Sequence, residues 1–288
     1  VTGDVALVTG ANTGVGKETA KALAARGCTT ILACRDERKA TSAAADIVRA
    51  TGNSRVLTVT LDLGDLHSVA SCTDEVLGRV GTVEVLVNNA GGYWDPRATT
   101  AQGLEQHFGV NYLSHYFLTR RLLESLGGSA PSRVVNVTSF GHRAVSGMAW
   151  DDLQLEHGWS VSRAYGQSKL AQLLFTRELA RRFGEVGVTA HAAHPGVVRS
   201  EFGRNGDTRG VQHVVLQVFA LFGVSPAKGA RTAIHLATSD DALRSNGGYW
   251  VRSTPHQPSK AARDDESARR LWDVSHQLVT SSGLPLAG

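Results

Sequence analysis

The chain predicts an α/β fold, a single domain over residues 1–288 built on a doubly wound parallel sheet with helices on both faces. Three observations predict it. Short apolar runs alternate with helix-forming segments along the length of the chain. The first run, Val5-Ala6-Leu7-Val8, has the apolar character of a strand covered on both faces, and it leads through a glycine-rich turn into an Ala-rich helix. Gly10, Arg35, Asp62, Asn88 and Ser139 fall at or just beyond expected strand ends, the edge at which such sheets bind ligands.

The elements follow in order. After Val8 come Thr9-Gly10-Ala11-Asn12-Thr13-Gly14-Val15-Gly16, and then a helix over Lys17 to Arg26 ended by Gly27. Glycines let a backbone approach a pyrophosphate closely, and a helix N-terminus offers unpaired N–H groups with partial positive charge. The spacing is T-G-x-x-x-G-x-G rather than G-x-G-x-x-G, so on spacing alone a plain glycine-rich turn is the competing reading. Strands are expected near 5–9, 29–34, 55–60, 84–88, 133–138, 188–193 and 247–251. Helices are expected near 14–26, 36–50, 65–79, 99–109, 112–126, 161–184, 227–238 and 265–280.

Tyr165 and Lys169 are four residues apart, on one face of the helix expected over 161–184. A free phenol, with a pKa of about 10, shuttles protons poorly at neutral pH. A neighbouring ammonium favours the phenolate and is expected to lower that value. The pair is therefore a candidate acid/base, although any exposed helix can carry Tyr and Lys at this spacing.

Thr9-Gly10…Gly14-x-Gly16, Asn88-Asn89-Ala90-Gly91, Ser139 and Tyr165…Lys169 occur in that order. With them the chain resembles the short-chain dehydrogenase/reductase family from about Val5 to its last helix. TGANTGVGKETA at 9–20, ACRDERKA at 33–40, GVNYLSHYFLT at 109–119, SRVVNVTS at 132–139 and HPGVVRSE at 194–201 resemble its retinol dehydrogenase-like branch. The resemblance implies a Rossmann-like sheet of about seven strands and an NAD(P)-dependent oxidoreductase acting on CH–OH or C=O groups.

It also implies residue roles. Tyr165 exchanges a proton with the substrate oxygen, Ser139 donates a hydrogen bond to it, and Lys169 binds the nicotinamide ribose and lowers the Tyr165 pKa. Asn111 matches the family's helix Asn, whose irregular backbone holds a proton-relay water. Gly10, Asn12, Thr13, Gly14, Val15 and Gly16 surround the phosphates. Asn88, Asn89, Ala90 and Gly91 flank the adenosine and its ribose, and Asp62 and Leu63 contact the adenine. Pro195, Gly196, Val198 and Ser200 form the nicotinamide-side loop. Asp62 has a competing reading as a helix N-cap, which Asp65 would equally supply. At the end of the second strand Cys34 stands where NAD-dependent relatives carry an acid, and Arg35 follows. A guanidinium matches a 2′-phosphate, so NADP(H) is favoured over NAD(H), with Asp36 as the complication.

Composition excludes several classes. The 288 residues are 42% hydrophobic, enough for a large core. A net charge of +4 without basic runs argues against nucleic acid. Cys28, Cys34 and Cys72 show neither C-x-x-C spacing nor a disulfide framework, which suits a reducing, cytoplasmic setting. His191 and His194 lack companions at zinc spacing, so no metal is expected. No signal peptide or apolar stretch near 20 residues is read. Some animal members of the resembled branch carry an N-terminal anchor, and this sequence starts at Val1.

Tyr93, Trp94, His142, Met148 and Phe202 are candidates for a roomy lipophilic substrate pocket, or for packing under a lid or at a homo-oligomer interface. A substrate lid is expected near 201–225, containing an apolar helix from Val211 to Phe222; a membrane surface is the less favoured alternative. Two readings besides a carbonyl/alcohol oxidoreductase stay open. One is a non-catalytic dinucleotide-binding regulator, although Ser, Tyr and Lys are all kept. The other is a biosynthetic enzyme coupling reduction to cyclisation or rearrangement.

Overall fold

The structure, a computed structural model, describes residues 3–128, 131–198 and 223–286. Its strands are β1 (Val5–Thr9), β2 (Thr29–Cys34), β3 (Val56–Thr60), β4 (Val85–Asn88), β5 (Ser132–Val137), β6 (Val188–His194), β7 (Tyr249–Val251) and β8 (Thr254–His256). They form one sheet in the order β3-β2-β1-β4-β5-β6-β7-β8, parallel except for β8. Among the described residues the helices are α1 (Gly14–Ala25), α2 (Glu37–Thr51), α3 (Leu66–Val80), α4 (Ser114–Arg121), α5 (Leu123–Gly128), α6 (Val161–Phe183), α7 (Pro226–Thr238) and α8 (Asp265–Thr280).

Strand side chains alternate between two cores, as a pleated backbone requires. Leu7, Ile31, Leu86 and Val134 meet α3, α4, α6 and α8 on one face. Ala6, Val8, Leu32, Val87 and Val135 meet α1, α2 and α7 on the other. Both faces are covered, which is why the central strands are apolar throughout. Asp36, Asp65, Ser160, Ser225 and Asp264 each accept a main-chain N–H in the first turn of α2, α3, α6, α7 and α8.

The last helix backs α6. Trp272 of α8 stacks on Phe175 of α6 with ring centroids 6.0 Å apart, and meets Tyr116 of α4 edge-on at 5.2 Å. The Arg120 and Arg182 guanidiniums lie over the Trp272 ring at 5.1 and 4.9 Å. The Tyr112 hydroxyl is 2.6 Å from Ser275 Oγ. No helix among the described residues is long and apolar enough to cross a membrane.

The structure departs from expectation in three places. The eighth strand was not expected. It returns through a two-residue turn at Arg252 and Ser253, both at positive φ (52° and 61°), where Gly or Asn would ordinarily mark a hairpin. The helix expected over 99–109 is instead a turn closed by an antiparallel bridge between Thr99 and Glu105, with Gly103 at φ +76°. The helix expected over 112–126 is broken. A π-helical stretch, His107–Leu113, precedes α4, and Ser114 N–H reaches back to Gly109 O. Of the expected lid, residues 201–222 lie outside the described residues. Just beyond it Val224 N–H donates to Val197 O at 2.8 Å, and Val224 pairs in parallel with Val198.

Candidate active site

The winding reverses between β1 and β4, with β2 and β3 to one side and β5 to β8 beyond β4. That crevice is where open parallel sheets bind ligands. Thr9 ties its two walls together. Thr9 Oγ1 accepts the N–H groups of Asn89 and Ala90, both at 2.9 Å, and Asn89 Nδ2 donates back to Thr9 O at 2.8 Å. Gly10 has φ +64° and would drive a Cβ to 3.0 Å from Ala90; a Cβ at Gly16 would come 2.4 Å from Gly10 O. At these two glycines the turn leaves no room for a side chain. It opens on α1, the one long helix among the described residues whose N-cap, Thr13, makes no side-chain cap hydrogen bond. Half-buried Asn12 and Val15 flank it. Val198 and Val15 meet over Gly229 of α7, where a Cβ would lie 2.6 Å from one and 3.2 Å from the other. Pro195, Gly196 and Val198 therefore stand across from the glycine turn. These residues fit a dinucleotide pyrophosphate.

At the carboxyl end of β2, beside the glycine turn, Cys34 is buried against the main chain of Ala11 and Asn12, and burial pushes its thiol up to about 11. Arg35 is exposed and forms no ion pair among the described residues. Asp36 is occupied otherwise, its Oδ1 accepting Lys39 N–H at 3.0 Å to cap α2. Asp62 is not a helix cap, since Asp65 caps α3; Asp62 Oδ1 accepts Gly64 N–H at 2.8 Å. Leu63 is buried beside it. Asn88 does not face the crevice. It is fully buried, and Nδ2 donates to Thr119 Oγ1 at 3.0 Å and Asn136 Oδ1 at 2.8 Å.

Ser139, Tyr165, Lys169 and Asn111 converge beyond the ends of β4 and β5. The Ser139 hydroxyl neighbours the Tyr165 hydroxyl, close enough to favour the phenolate. Ser139 Oγ also accepts Gly141 N–H at 3.1 Å. Gly141 packs flat on the phenol ring, where a Cβ would fall 2.7 Å from Tyr165 Cε1. Lys169 Nζ lies 5.4 Å from the Tyr165 ring centroid. Asn111 Oδ1 accepts Gly92 N–H at 2.8 Å, and Nδ2 donates to Gly92 O at 3.0 Å and Ser168 Oγ at 3.2 Å. Asn111 thus pins Gly92, next to Gly91, to α6.

One expectation is corrected here. The Tyr165 pKa, expected to be lowered beside Lys169, is instead raised: burial pushes the phenol up to about 12, with the neighbouring Ser139 hydroxyl opposing. Burial also holds the Lys169 ammonium down, to about 7. The Asn111 main-chain oxygen, in the π-helical stretch, faces two side-chain nitrogens, Gln172 Nε2 at 2.8 Å and His115 Nδ1 at 3.2 Å.

On the proposed substrate side, Tyr93 meets the Tyr165 ring edge-on at 5.2 Å. Trp94 is held by a pair that the sequence did not reveal. Trp94 N–H donates to His107 Nε2 at 3.0 Å, and His107 Nδ1 is 2.8 Å from Glu105 Oε1. Both members of the pair are almost wholly buried. Glu105 also accepts Phe108 N–H at 2.9 Å; burial would raise its pKa, but the His107 and Phe108 hydrogen bonds hold it below the usual carboxylate value. An i,i+2 pair leaves no helical periodicity to notice. Met148 is in the core. His142 is not a pocket residue. It is fully buried, Nδ1 is 2.7 Å from Ser139 O, and Nε2 accepts Ser259 N–H at 3.2 Å, so it braces the Ser139 turn. Ser200 and Phe202 lie outside the described residues. His191 is engaged on both nitrogens, with Ala242 O at 2.8 Å and Gly248 N at 3.1 Å.

Crevice and hydroxyl cluster together define a nucleotide-dependent oxidoreductase, and comparison with known proteins agrees. A family model described as short chain dehydrogenase matches residues 4–209. The chain belongs to the short-chain dehydrogenase/reductase family. Within it the chain falls in the retinol dehydrogenase-like branch. It is 44% identical to retinol dehydrogenase 12 of Mus musculus over 97% of this chain and 87% of that one. It is 43% identical to retinol dehydrogenase 11 of Homo sapiens over 99% and 87%. A crystal structure of an uncharacterized protein from Mycobacterium paratuberculosis superposes with a TM-score of 0.77 at 35% identity, covering 97% of this chain and 94% of that one. The chain is thus an NAD(P)-dependent oxidoreductase that interconverts carbonyl and alcohol groups.

Proposed function

We propose that this enzyme uses NADP(H) to interconvert a carbonyl and an alcohol on a lipophilic or bulky small molecule, with Tyr165 as acid/base. The observation that carries the reading is the neighbouring Ser139 and Tyr165 hydroxyls, with Lys169 beside them, at the mouth of the glycine-lined crevice. The nucleotide supplies or accepts the hydride. Gly10, Asn12, Thr13, Gly14, Val15 and Gly16 hold its phosphates; Asp62, Leu63, Asn89, Ala90 and Gly91 hold its adenosine side; Pro195, Gly196, Val198 and Ser200 hold its nicotinamide side. Exposed Arg35 reads the 2′-phosphate, because Asp36 is committed to capping α2 and Cys34 puts no carboxylate there.

Ser139 donates to the substrate oxygen, where negative charge builds during reduction. Tyr165 delivers the proton. A phenol held up near 12 is fully protonated at neutral pH, which suits it as the acid of a reduction. The edge-on Tyr93 and the pinned Trp94 supply an apolar wall, in keeping with the lipophilic alcohol in the relatives' names. The three buried free thiols support a reducing, cytoplasmic setting.

The test is turnover of a panel of bulky ketones and aldehydes with NADPH. Tyr165→Phe should lose at least about 10²-fold in rate while NADPH affinity stays nearly intact, the range of general acid/base catalysis. Wild-type turnover by Tyr165→Phe would refute the assignment.

A further inference from the structure

Gln172 lies three residues after Lys169 on α6, and both ends of its buried side chain are engaged. Its Oε1 accepts from Lys169 Nζ at 3.0 Å, and its Nε2 donates to the main-chain oxygen of Asn111 at 2.8 Å. His115 fills the rest of that oxygen. Thr9 Oγ1 already accepts two N–H groups, so its own proton goes to His115 Nε2, 3.0 Å away. Nδ1 then carries the imidazole hydrogen and donates to Asn111 O. A carbonyl oxygen has two lone pairs, and both are used.

Among the described residues Gln172 Oε1 is the one hydrogen-bond acceptor for Lys169 Nζ. An ammonium on a four-carbon stem has three donors and many rotamers, so one fixed acceptor decides where it stands. Gln172 can fix it because the far end of the amide is anchored on the π-helical backbone. The titratable groups around Nζ are Tyr165 on the same helix, neutral His115 on α4, and, beyond Tyr165, the Tyr93 phenol and the Glu105–His107 pair.

We propose that Gln172 is a positioning residue that clamps the Lys169 ammonium to the Asn111 main chain and sets how tightly Lys169 holds its proton. This rests on the reading of Tyr165 and Lys169 as the reaction centre. Leu at 172 would fill the space and leave the ammonium without its acceptor. Glu would keep the acceptor, lose the donor to Asn111 and place a negative charge against Nζ.

The experiment follows Lys169 in the nucleotide-free protein by carbon-13 NMR of lysine Cε. The chain has only six lysines, and Lys169→Arg assigns the signal. Gln172→Leu should lower the proton affinity of Lys169 by about tenfold or more, the worth of a hydrogen bond to a charged group. Gln172→Glu should raise it by about as much. Gln172→Asn, one methylene shorter, should give part of the Leu effect. Circular dichroism checks folding, and Gln172→Glu decides the matter if the Leu variant does not fold. Lys169 titrating alike in wild type and variants, while Tyr165→Phe is inactive, overturns the clamp alone. Full turnover by Tyr165→Phe overturns the reaction centre, and the clamp with it.

Discussion

Replacing Thr9 by Val keeps the shape of a fully buried side chain and removes one oxygen. That oxygen accepts two N–H groups, from Asn89 and Ala90, and stands 3.0 Å from His115 Nε2. Asn89 and Ala90 are half-buried, so each orphaned N–H costs about 1 kcal/mol; the wholly buried imidazole nitrogen costs about 1–2. The sum is about 3–4 kcal/mol with almost no cavity contribution. Unfolding entropy near 2.1 cal/mol/K per residue gives about 0.6 kcal/mol/K for a chain of this length, so the melting temperature should fall by about 5–7 °C. Differential scanning calorimetry reads it directly. Thr9→Ser keeps the hydroxyl and should lose roughly half as much or less. A Thr9→Val protein melting within about 1 °C of wild type would show that this oxygen does not hold β1 to the Asn89–Gly91 wall.

Three further outcomes are expected. Arg35→Ala should weaken NADPH more than NADH by about 1.5–3 kcal/mol, measured by titrating both nucleotides; equal losses would mean Arg35 does not read the 2′-phosphate. Gly141→Ala pushes a methyl against the Tyr165 ring and should cut turnover by about 10-fold to 10²-fold with NADPH affinity unchanged, and normal steady-state rates would contradict it. His115 and His194 are held down to about 4 by burial, against about 6.5 in an unfolded chain. Between those values the unfolded state binds more protons, so stability should drop as pH falls from about 6.5 to 4. Melting curves across that range should show the drop, and His115→Gln should flatten it.

The strand ends and the Tyr165–Lys169 face were readable because they rest on local periodicity and on glycines with steric reasons to be there. Strand β8 was not, since Arg252 and Ser253 adopt positive φ without the residues that announce it. Over 99–109 helix-compatible composition lost to Gly103 and the Thr99–Glu105 bridge. His142 read as a pocket residue because nothing local shows that its partner is Ser259, far along the chain. The Glu105–His107 pair is hidden by its i,i+2 spacing, whereas Gln172 shares a face with Lys169 at i,i+3 and was legible in principle. The Tyr165 pKa was misjudged in direction because sequence shows a neighbouring cation but not the burial that outweighs it.

The backing of α6 by α8 has a consequence for biosynthesis. Tyr165 and Lys169 sit on a helix whose rear is closed by Trp272, and α8 begins at residue 265. While the chain is being made, the glycine turn and the first strands emerge first, and nascent domains form from that end. The helix that bears Tyr165 waits for a segment translated well after it. Until α8 arrives, Tyr116 and Phe175 have no Trp272 to cover them, and that uncovered aromatic face is where a stalled or truncated product would be open to chaperones, proteases and aggregation.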